Sequence, residues 1–243
     1  MTDLDIIIPI YNEGIKIVKL IGEIEKRIKF KKKIFICYDN ESDNSLEFIK
    51  SSKYTNLKYI KNPLKGPNTA ILEGIKNTNS EFIVVYMADD FKNIDLLNDM
   101  VNIFKNKKVD LIVPSRFIIG GTFVGASFFK KYVTIIGSFL VNKIALLPVK
   151  DPTNAFKMFN KKTKNQIEFK SKKGFTFALE LTTKSYLNRN KILEIPCIWE
   201  QDKDRKSNFK VLEWLPNYIY WLVYSLIKIY IFKLKKVGGL IIK

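Results

Sequence analysis

Along the first 115 residues, short apolar runs alternate with stretches in which apolar side chains recur every three or four positions. The runs at residues 4–9, 34–38, 57–60 and 109–114 read as strands. Residues 14–28, apolar at 15, 17, 18, 21, 24 and 28, read as a helix, and further helices are expected near 45–50, 68–77 and 94–104. The central run is Phe82-Ile-Val-Val-Tyr-Met-Ala-Asp-Asp90, in which the five apolar or aromatic residues 82–86 suit a strand buried on both faces and the run ends in two adjacent carboxylates. Repeated βα units of this kind predict an α/β fold with a mostly parallel, Rossmann-like sheet and helices on both faces.

The far end of the chain has a different pattern. From residue 218 to 232 only Ser225 and Lys228 interrupt an apolar run crowded by Tyr218, Tyr220, Trp221, Tyr224 and Tyr230, with Trp214 before it and Lys233, Lys235 and Lys236 after it. A membrane span needs ~20 predominantly apolar residues, so the favoured reading is an amphipathic helix lying in a membrane interface. A span and a helix packed in the protein core are the alternatives. The expected organisation is one catalytic unit over 1–210, with a first half to about residue 115 and a second from 116, followed by a membrane-associating helix and basic tail over 211–243.

Polar residues collect where the predicted strands end. Pro9, Tyr11 and Glu13 close the first, a loop beginning Asp39-Asn40-Glu41 closes the second, and Asp89-Asp90 closes the central one. Ligands of open α/β sheets bind at the carboxyl ends of strands, so three carboxylate-bearing loops on one rim point to a site for a metal-bound, phosphate-bearing ligand. Ordinary acidic turns and helix caps are the competing reading.

Composition narrows the chemistry. The chain of 243 residues, 47% hydrophobic, is large enough for a sizeable core, and it has no histidine. Histidine metal ligands, serine–histidine triads and histidine bases are therefore excluded, leaving carboxylates, lysines, hydroxyls or an oxygen-bound metal. Two isolated cysteines, Cys37 and Cys197, each in an apparent strand, provide neither a zinc motif nor a disulfide framework and fit a reducing compartment. The formal charge of +18 comes almost wholly from lysine. Genomic base composition also produces lysine, asparagine and isoleucine enrichment, so the charge by itself names no partner, although it is compatible with an anionic membrane surface. The amino terminus enters a strand without a basic-then-apolar leader, so no signal peptide is expected.

Several motifs together resemble a known family. Ile-Ile-Pro-Ile-Tyr-Asn-Glu at 7–13, the acidic loop at 38–45 and Met-Ala-Asp at 87–89 are similar to the nucleotide-binding half of family 2 glycosyltransferases with the A-type fold. Pro-Ser-Arg-Phe at 114–117, Gly120-Gly121, Asp-Pro-Thr-Asn-Ala-Phe-Lys at 151–157 and Gly-Phe-Thr-Phe-Ala-Leu-Glu-Leu at 174–181 resemble the dolichyl-phosphate mannose synthase branch and its polyprenyl-phosphate relatives. The resemblance covers roughly residues 4–215. It implies an inverting transfer of a sugar from a GDP- or UDP-sugar to a polyprenyl phosphate at the cytoplasmic face of a membrane, by a peripheral or monotopic enzyme that does not bind nucleic acid.

The resemblance also implies roles. Asp39 would contact the nucleotide base, with Pro9, Tyr11 and Glu13 forming the adjoining wall. Asp89 would hold a Mg²⁺ or Mn²⁺ ion that bridges the donor diphosphate. Met87 stands where the metal motif has its first Asp, which leaves Asp89 alone or helped by Asp90. Arg116 and Lys130 or Lys131 would stabilise phosphate charge, with a structural salt bridge as the alternative for Arg116. Asp151 and Glu180 would shape the acceptor side, and either becomes the candidate base if the acceptor is an alcohol. In relatives a loop with arginine, glycine and Ser-Lys or Ser-Arg covers the donor phosphates. Here Asp202 and Arg205 occupy the arginine and glycine places, and Lys203, Arg205 or Lys206 would substitute. Two readings stand beside this one: a transferase acting on a hydroxyl of a cell-surface glycan, and a non-catalytic basic module for nucleic acid or anionic lipid.

Overall fold

The computed structural model describes residues 3–126, 128–200 and 211–241, side chains at 129, 130, 211, 212 and 235–241 excepted. Its first part follows the predicted alternation: β1 (Leu4–Pro9), α1 (Lys16–Arg27), β2 (Lys32–Tyr38), α2 (Asn44–Lys50), β3 (Leu57–Lys61), α3 (Pro67–Asn77), β4 (Phe82–Val85), α4 (Leu96–Asn106) and β5 (Leu111–Ser115). After it come β6 (Thr122–Val124), α5 (Phe128–Phe139) running into a single π-helical turn at Leu140–Ile144, β7 (Lys157–Asn160), α6 (Lys161–Gln166), α7 (Phe177–Leu187), β8 (Ile192–Pro196), β9 (Ile198–Glu200) and α8 (Val211–Ile241).

Seven strands form the main sheet in the order β3-β2-β1-β4-β7-β5-β8, and β6 and β9 pair in a small second sheet. All neighbours are parallel except β7, which runs antiparallel to both β4 and β5. Sequence reading finds the parallel βα units but misses β7, which brings residues 157–160 into the middle of a sheet otherwise begun by residues 4–115. Cys197 is also not in a strand. It links β8 to β9, with its N–H donating to the Ser115 carbonyl at 3.0 Å and its carbonyl accepting from Thr122 N–H at 3.0 Å.

Strand alternation divides the core between the two faces of the sheet. Ile6, Ile8, Ile36 and Val84 pack with Ile17, Leu20 and Ile24 of α1 and Met100 of α4, whereas Ile7, Phe35, Ile83 and Val85 pack with Ile71 and Ile75 of α3 and Phe177 and Leu181 of α7. Gly74 allows α3 to lie close to the sheet, since a Cβ there would meet Ile7 Cγ2 at 2.6 Å and Cys37 Sγ at 2.7 Å.

Helix α8 has two characters. Trp214, Trp221, Ser225 and Ile229 are buried, with Ser225 and Thr183 hydroxyls 2.7 Å apart across the α7 contact. Tyr220, Val223, Ile227, Tyr230 and Leu234 on its other side are exposed. The core-helix reading therefore holds for one face and leaves the other uncovered. Among the described residues no helix is long and apolar enough to cross a membrane.

Candidate functional site

A cavity of about 1150 Å³ opens at the carboxyl ends of β1, β2 and β4, and it is lined there by Pro9, Tyr11, Glu13, Asp39, Met87, Asp89 and Asp90. The loops after β1 and β2 hold each other. Asn12 N–H donates to Asp43 Oδ2 at 2.9 Å, Glu13 N–H to Ser45 Oγ at 2.8 Å and Gly14 N–H to Asn44 Oδ1 at 3.0 Å, while the other oxygen of Asp43 caps α2 through Ser45 N–H. The acidic loop thus divides its labour: Asp43 builds the rim and Asp39 faces the cavity.

Asp39 is oriented by donors on both oxygens, Asn62 Nδ2 at 2.6 Å and Gly66 N–H at 2.8 Å. Gly66 adopts φ +114°, a conformation open to glycine and strained for side-chain-bearing residues. Asn62 and Gly66 are therefore parts of the site that strand-end motifs do not reveal.

Asp89 and Asp90 differ although they are adjacent. Asp89 is exposed on the cavity wall. Asp90 folds the turn after β4, accepting from the N–H groups of Lys92 at 3.1 Å and Asn93 at 3.0 Å and from Asn93 Nδ2 at 2.8–2.9 Å. Burial pushes the Asp90 carboxyl above its ordinary range, and the Asn93 hydrogen bonds pull the other way. The acidic-turn reading thus applies to Asp90. Among the described residues no cluster of three acidic or cysteine side chains could hold a metal by itself. A single carboxylate on an open wall suits a magnesium-like ion that takes its other ligands from phosphate oxygens and water.

Deeper in the cavity, Arg116 forms a fork with Asp151. Its Nε and one terminal nitrogen each lie 2.7 Å from a carboxylate oxygen, and its backbone N–H donates at 3.0 Å. Asp151 is fully buried and Arg116 retains only 8% side-chain exposure. Burial disfavours the guanidinium charge, but Asp151 outweighs it and holds the Arg116 pKa above the ordinary value. Arg116 also lies over the Phe123 ring at 4.7 Å. The salt-bridge alternative is realised, yet the arginine still lines the cavity. Asp151 does not line it.

Glu180 sits elsewhere. It is fully buried on α7, where its oxygens accept from the N–H groups of Lys170 at 2.7 Å and Ser171 at 2.8 Å and from the Lys184 ammonium. The structure corrects its assignment to the acceptor wall, because these bonds use the carboxylate to hold the loop before α7. Lys131 is exposed on α5 and is not part of the lining. The Lys130 side chain, and Asp202 to Phe209 with Arg205 among them, lie outside the described residues.

The far end of the cavity is apolar. It is lined by Val133, Ile136 and Gly137 from α5, Leu140 from the π-helical turn, and Ile219 and Leu222 from α8. Lys172, Lys173, Trp214 and Tyr218 also line the cavity. Tyr218 Oη accepts from Phe175 N–H at 3.2 Å, and its burial raises the phenol pKa. In so lysine-rich a chain, Lys172-Lys173 offers no contrast by which sequence reading could find it.

One buried charge stands apart. Lys157, the first residue of β7, is fully buried and its ammonium has no hydrogen-bond partner. Burial lowers its pKa to about 7, against the pull of Asp151 and Glu194.

Comparison with known proteins adds three findings. The family model described as Glycosyl transferase family 2 matches residues 5–167. A dolichol-phosphate mannosyltransferase from Pyrococcus furiosus is 26% identical over 199 residues, covering 79% of this chain and 55% of its own length. A dolichyl-phosphate β-glucosyltransferase from Dictyostelium discoideum is 22% identical over 182 residues, covering 68% and 56% respectively. The chain thus spans about half the length of these curated relatives. Glucosyl-3-phosphoglycerate synthase from Mycobacterium tuberculosis, solved with Mn²⁺, UDP and glucosyl-3-phosphoglycerate, superposes with a TM-score of 0.69 at 13% identity, covering 94% of this chain and 80% of that one. The same enzyme solved with Mg²⁺ and UDP gives 0.67 at 12% identity, with coverage of 94% and 79%. The shared fold is the A-type α/β fold with a mixed, mostly parallel sheet.

Proposed function

The chain belongs to the glycosyl transferase family 2, and from that premise we propose that it moves a sugar, with inversion, from a nucleotide-diphosphate sugar to a polyprenyl phosphate. The observation that carries this reading is the cavity itself. One end is a rim of strand-end carboxylates, and the other is an apolar passage between α5 and α8. A nucleotide diphosphate matches the first end and a prenyl chain the second.

A phosphate acceptor is favoured over a hydroxyl by the state of the two carboxylates that the sequence offers as bases. A sugar hydroxyl needs a base within hydrogen-bond reach. Asp151 is committed to Arg116 and Glu180 to two backbone amides and Lys184, so neither is set to take a proton in the cavity. A phosphate monoester has its second pKa near ~6 and is already ionised at neutral pH, so it attacks without a base.

Asp39 and the wall of Pro9, Tyr11 and Glu13 bind the nucleoside. Asp89 is the side chain that would hold a Mg²⁺ or Mn²⁺ ion, which when bound neutralises charge on the departing diphosphate. Arg116, held in one orientation by Asp151, presents fixed positive charge to phosphate oxygens without reorganising during the reaction. Lys172 and Lys173 line the same cavity and would meet an acceptor phosphate there.

The outer faces of α5 and α8 support a peripheral seat on a membrane. Tyr132, Ile135 and Phe139 on α5 and Tyr220, Ile227 and Tyr230 on α8 are exposed, with Lys131, Lys143 and Lys228 exposed among them. Apolar area and lysines, each adding about 1 kcal/mol at an anionic surface, would hold the molecule there.

The test is a transfer assay with GDP- and UDP-sugars against a long polyprenyl phosphate in anionic vesicles and a short, water-soluble polyprenyl phosphate. The expected product is a sugar phosphodiester with both acceptors. A double substitution on the outer face, Ile227→Glu with Tyr230→Glu, should abolish vesicle binding and transfer to the long acceptor while sparing the short one. Transfer to a glycan hydroxyl with neither lipid phosphate accepted would refute the reading.

A further inference from the structure

The turn that carries Asp89 is fastened at two levels. Below it, the buried Tyr86 hydroxyl donates to the Asp90 carbonyl at 2.6 Å. Above it, the Asp90 carboxylate gathers the N–H groups of Lys92 and Asn93 and the Asn93 side-chain amide. Two bonds more than the turn needs then leave Asn93. Its Nδ2 donates to the Ile198 carbonyl at 2.7 Å, and its Oδ1 accepts from Ile198 N–H at 3.0 Å.

These two bonds pair both backbone groups of Ile198, as a neighbouring strand would. Strand β9 has β6 as its strand partner, with Phe123 opposite Trp199, and Asn93 completes the pairing at Ile198 across 105 residues of chain. Asn93 as a residue is 5% exposed, so these bonds are shielded from competing water. The Lys92 ammonium adds an ion pair with Glu200 at 3.5 Å, on exposed side chains where it contributes little. Ile198, Trp199 and Glu200 all line the cavity.

We infer that Asn93 is a positioning residue that clamps the Asp89 turn to the β9 wall, so that the donor diphosphate and its cation meet one rigid surface instead of two independent ones. The inference rests on the donor-site reading of Asp89. It concerns how this chain's own residues are held. An asparagine is suited to the task, because its amide supplies a donor and an acceptor in one plane, matching the carbonyl and N–H of a single extended residue. Aspartate has the same shape but lacks the donor, and it would place a second carboxylate against Asp90.

The experiment uses the full chain and three variants, Asn93→Leu, Asn93→Asp and Asp89→Asn. Hydrogen exchange at the Ile198 amide reports the clamp directly. Calorimetric titration of Mn²⁺ into protein with UDP or GDP reports the site without turnover, and steady-state kinetics separates KM from kcat. In Asn93→Leu the Ile198 amide should exchange faster, and Mn²⁺ affinity in the presence of nucleotide should fall by about tenfold, the usual scale for losing a residue that orients a metal ligand. Donor KM should rise by more than kcat falls. Asn93→Asp, which keeps the acceptor for Ile198 N–H and loses the donor, should fall between the parent and Asn93→Leu in both amide protection and Mn²⁺ affinity, a graded coupling that a purely structural role would not give. It also carries the test if the leucine variant does not fold. Faster exchange with unchanged Mn²⁺ affinity, or unchanged exchange, overturns the clamp. If Asp89→Asn also leaves Mn²⁺ binding unchanged, the donor-site reading itself has failed, and if only the Asn93 variants do, the failure belongs to the clamp alone.

Discussion

The two ends of the cavity are made by different means. At the rim, loops leaving parallel strands place polar groups through short directed hydrogen bonds, so Asp39 and the Asp89 turn are oriented by their neighbours. At the far end, α5 and α8 supply an apolar surface with few directed bonds. Directed bonds discriminate strongly, because a ligand lacking the matching group leaves a buried partner unpaired, whereas apolar contacts distinguish chain lengths weakly. Under the proposed function, the rim would therefore decide donor identity and the helix pair would accept a family of long apolar chains.

The sharpest way to break this division is at the point where the ends meet. Asp151→Asn leaves Arg116 buried without its counter-charge, which costs about 3–5 kcal/mol. Urea denaturation should show a loss of that size, and a near-parental midpoint would mean that the fork contributes no stability. Next in size is Asp89→Asn, expected to lower turnover by about a hundredfold with the fold intact, the scale of removing one group that stabilises developing charge. Asp90→Asn should instead lower thermal stability more than turnover, since its oxygens build the turn. Normal turnover of the Asp89 variant at saturating Mn²⁺ would remove it from the site. Smaller still, Asp39→Ala should weaken donor binding by about tenfold, or about 1.4 kcal/mol, with the dependence on metal concentration unchanged. Equal affinity in the variant would exclude Asp39 from nucleoside recognition.

One further effect appears as a slope. Lys157 has a folded-state pKa of about 7, against roughly 10.4 for an unperturbed lysine. Between those values the unfolded chain binds a proton that the folded chain does not, so this residue makes stability rise as pH climbs from about 7 to about 10. Below pH 7 both states are protonated and its contribution is constant. Lys157→Met should lose this increment, so that its stability relative to the parent declines across that pH window. Parallel pH profiles for the two proteins would contradict the assignment.

Much of the rim is legible in the sequence because β1, β2 and β4 each finish in an apolar run that leads into turn residues. Strand β7 is not, since Lys-Met-Phe-Asn carries a charge at its start and an amide at its end, and both are buried or half-buried for reasons that arise from other segments. Glu180 is misleading in the same way: a carboxylate inside a helix reads as a solvent face or a reactive group, and the loop amides it satisfies are adjacent only after folding. Arg116 shows how both readings of one residue can hold, a salt bridge on one side and a cavity wall on the other. Helix α8 is legible as a long aromatic and largely apolar helix. Its inward face, through Trp221, Ser225 and Ile229, is visible only against α7, which means that removing the helix whole would damage the core. The outer-face substitutions keep those contacts and are the cleaner probe.

The placement of β7 between β4 and β5 also bears on the order in which the molecule is assembled during synthesis. Strands β1 to β4 form one contiguous parallel block from the first 85 residues, so the nucleotide-side loops can take shape while the remainder is still being made. Until residue 160 has emerged, the side of β4 that will receive β7 is an unpaired edge, open to the pairing that leads to aggregation. Ribosome-stalled chains ending shortly before and well after β7 should then differ in protease cleavage near β4 while protection of β1 and β2 is the same. Translation of the stretch from 86 to 160 is the interval in which this protein most needs a chaperone.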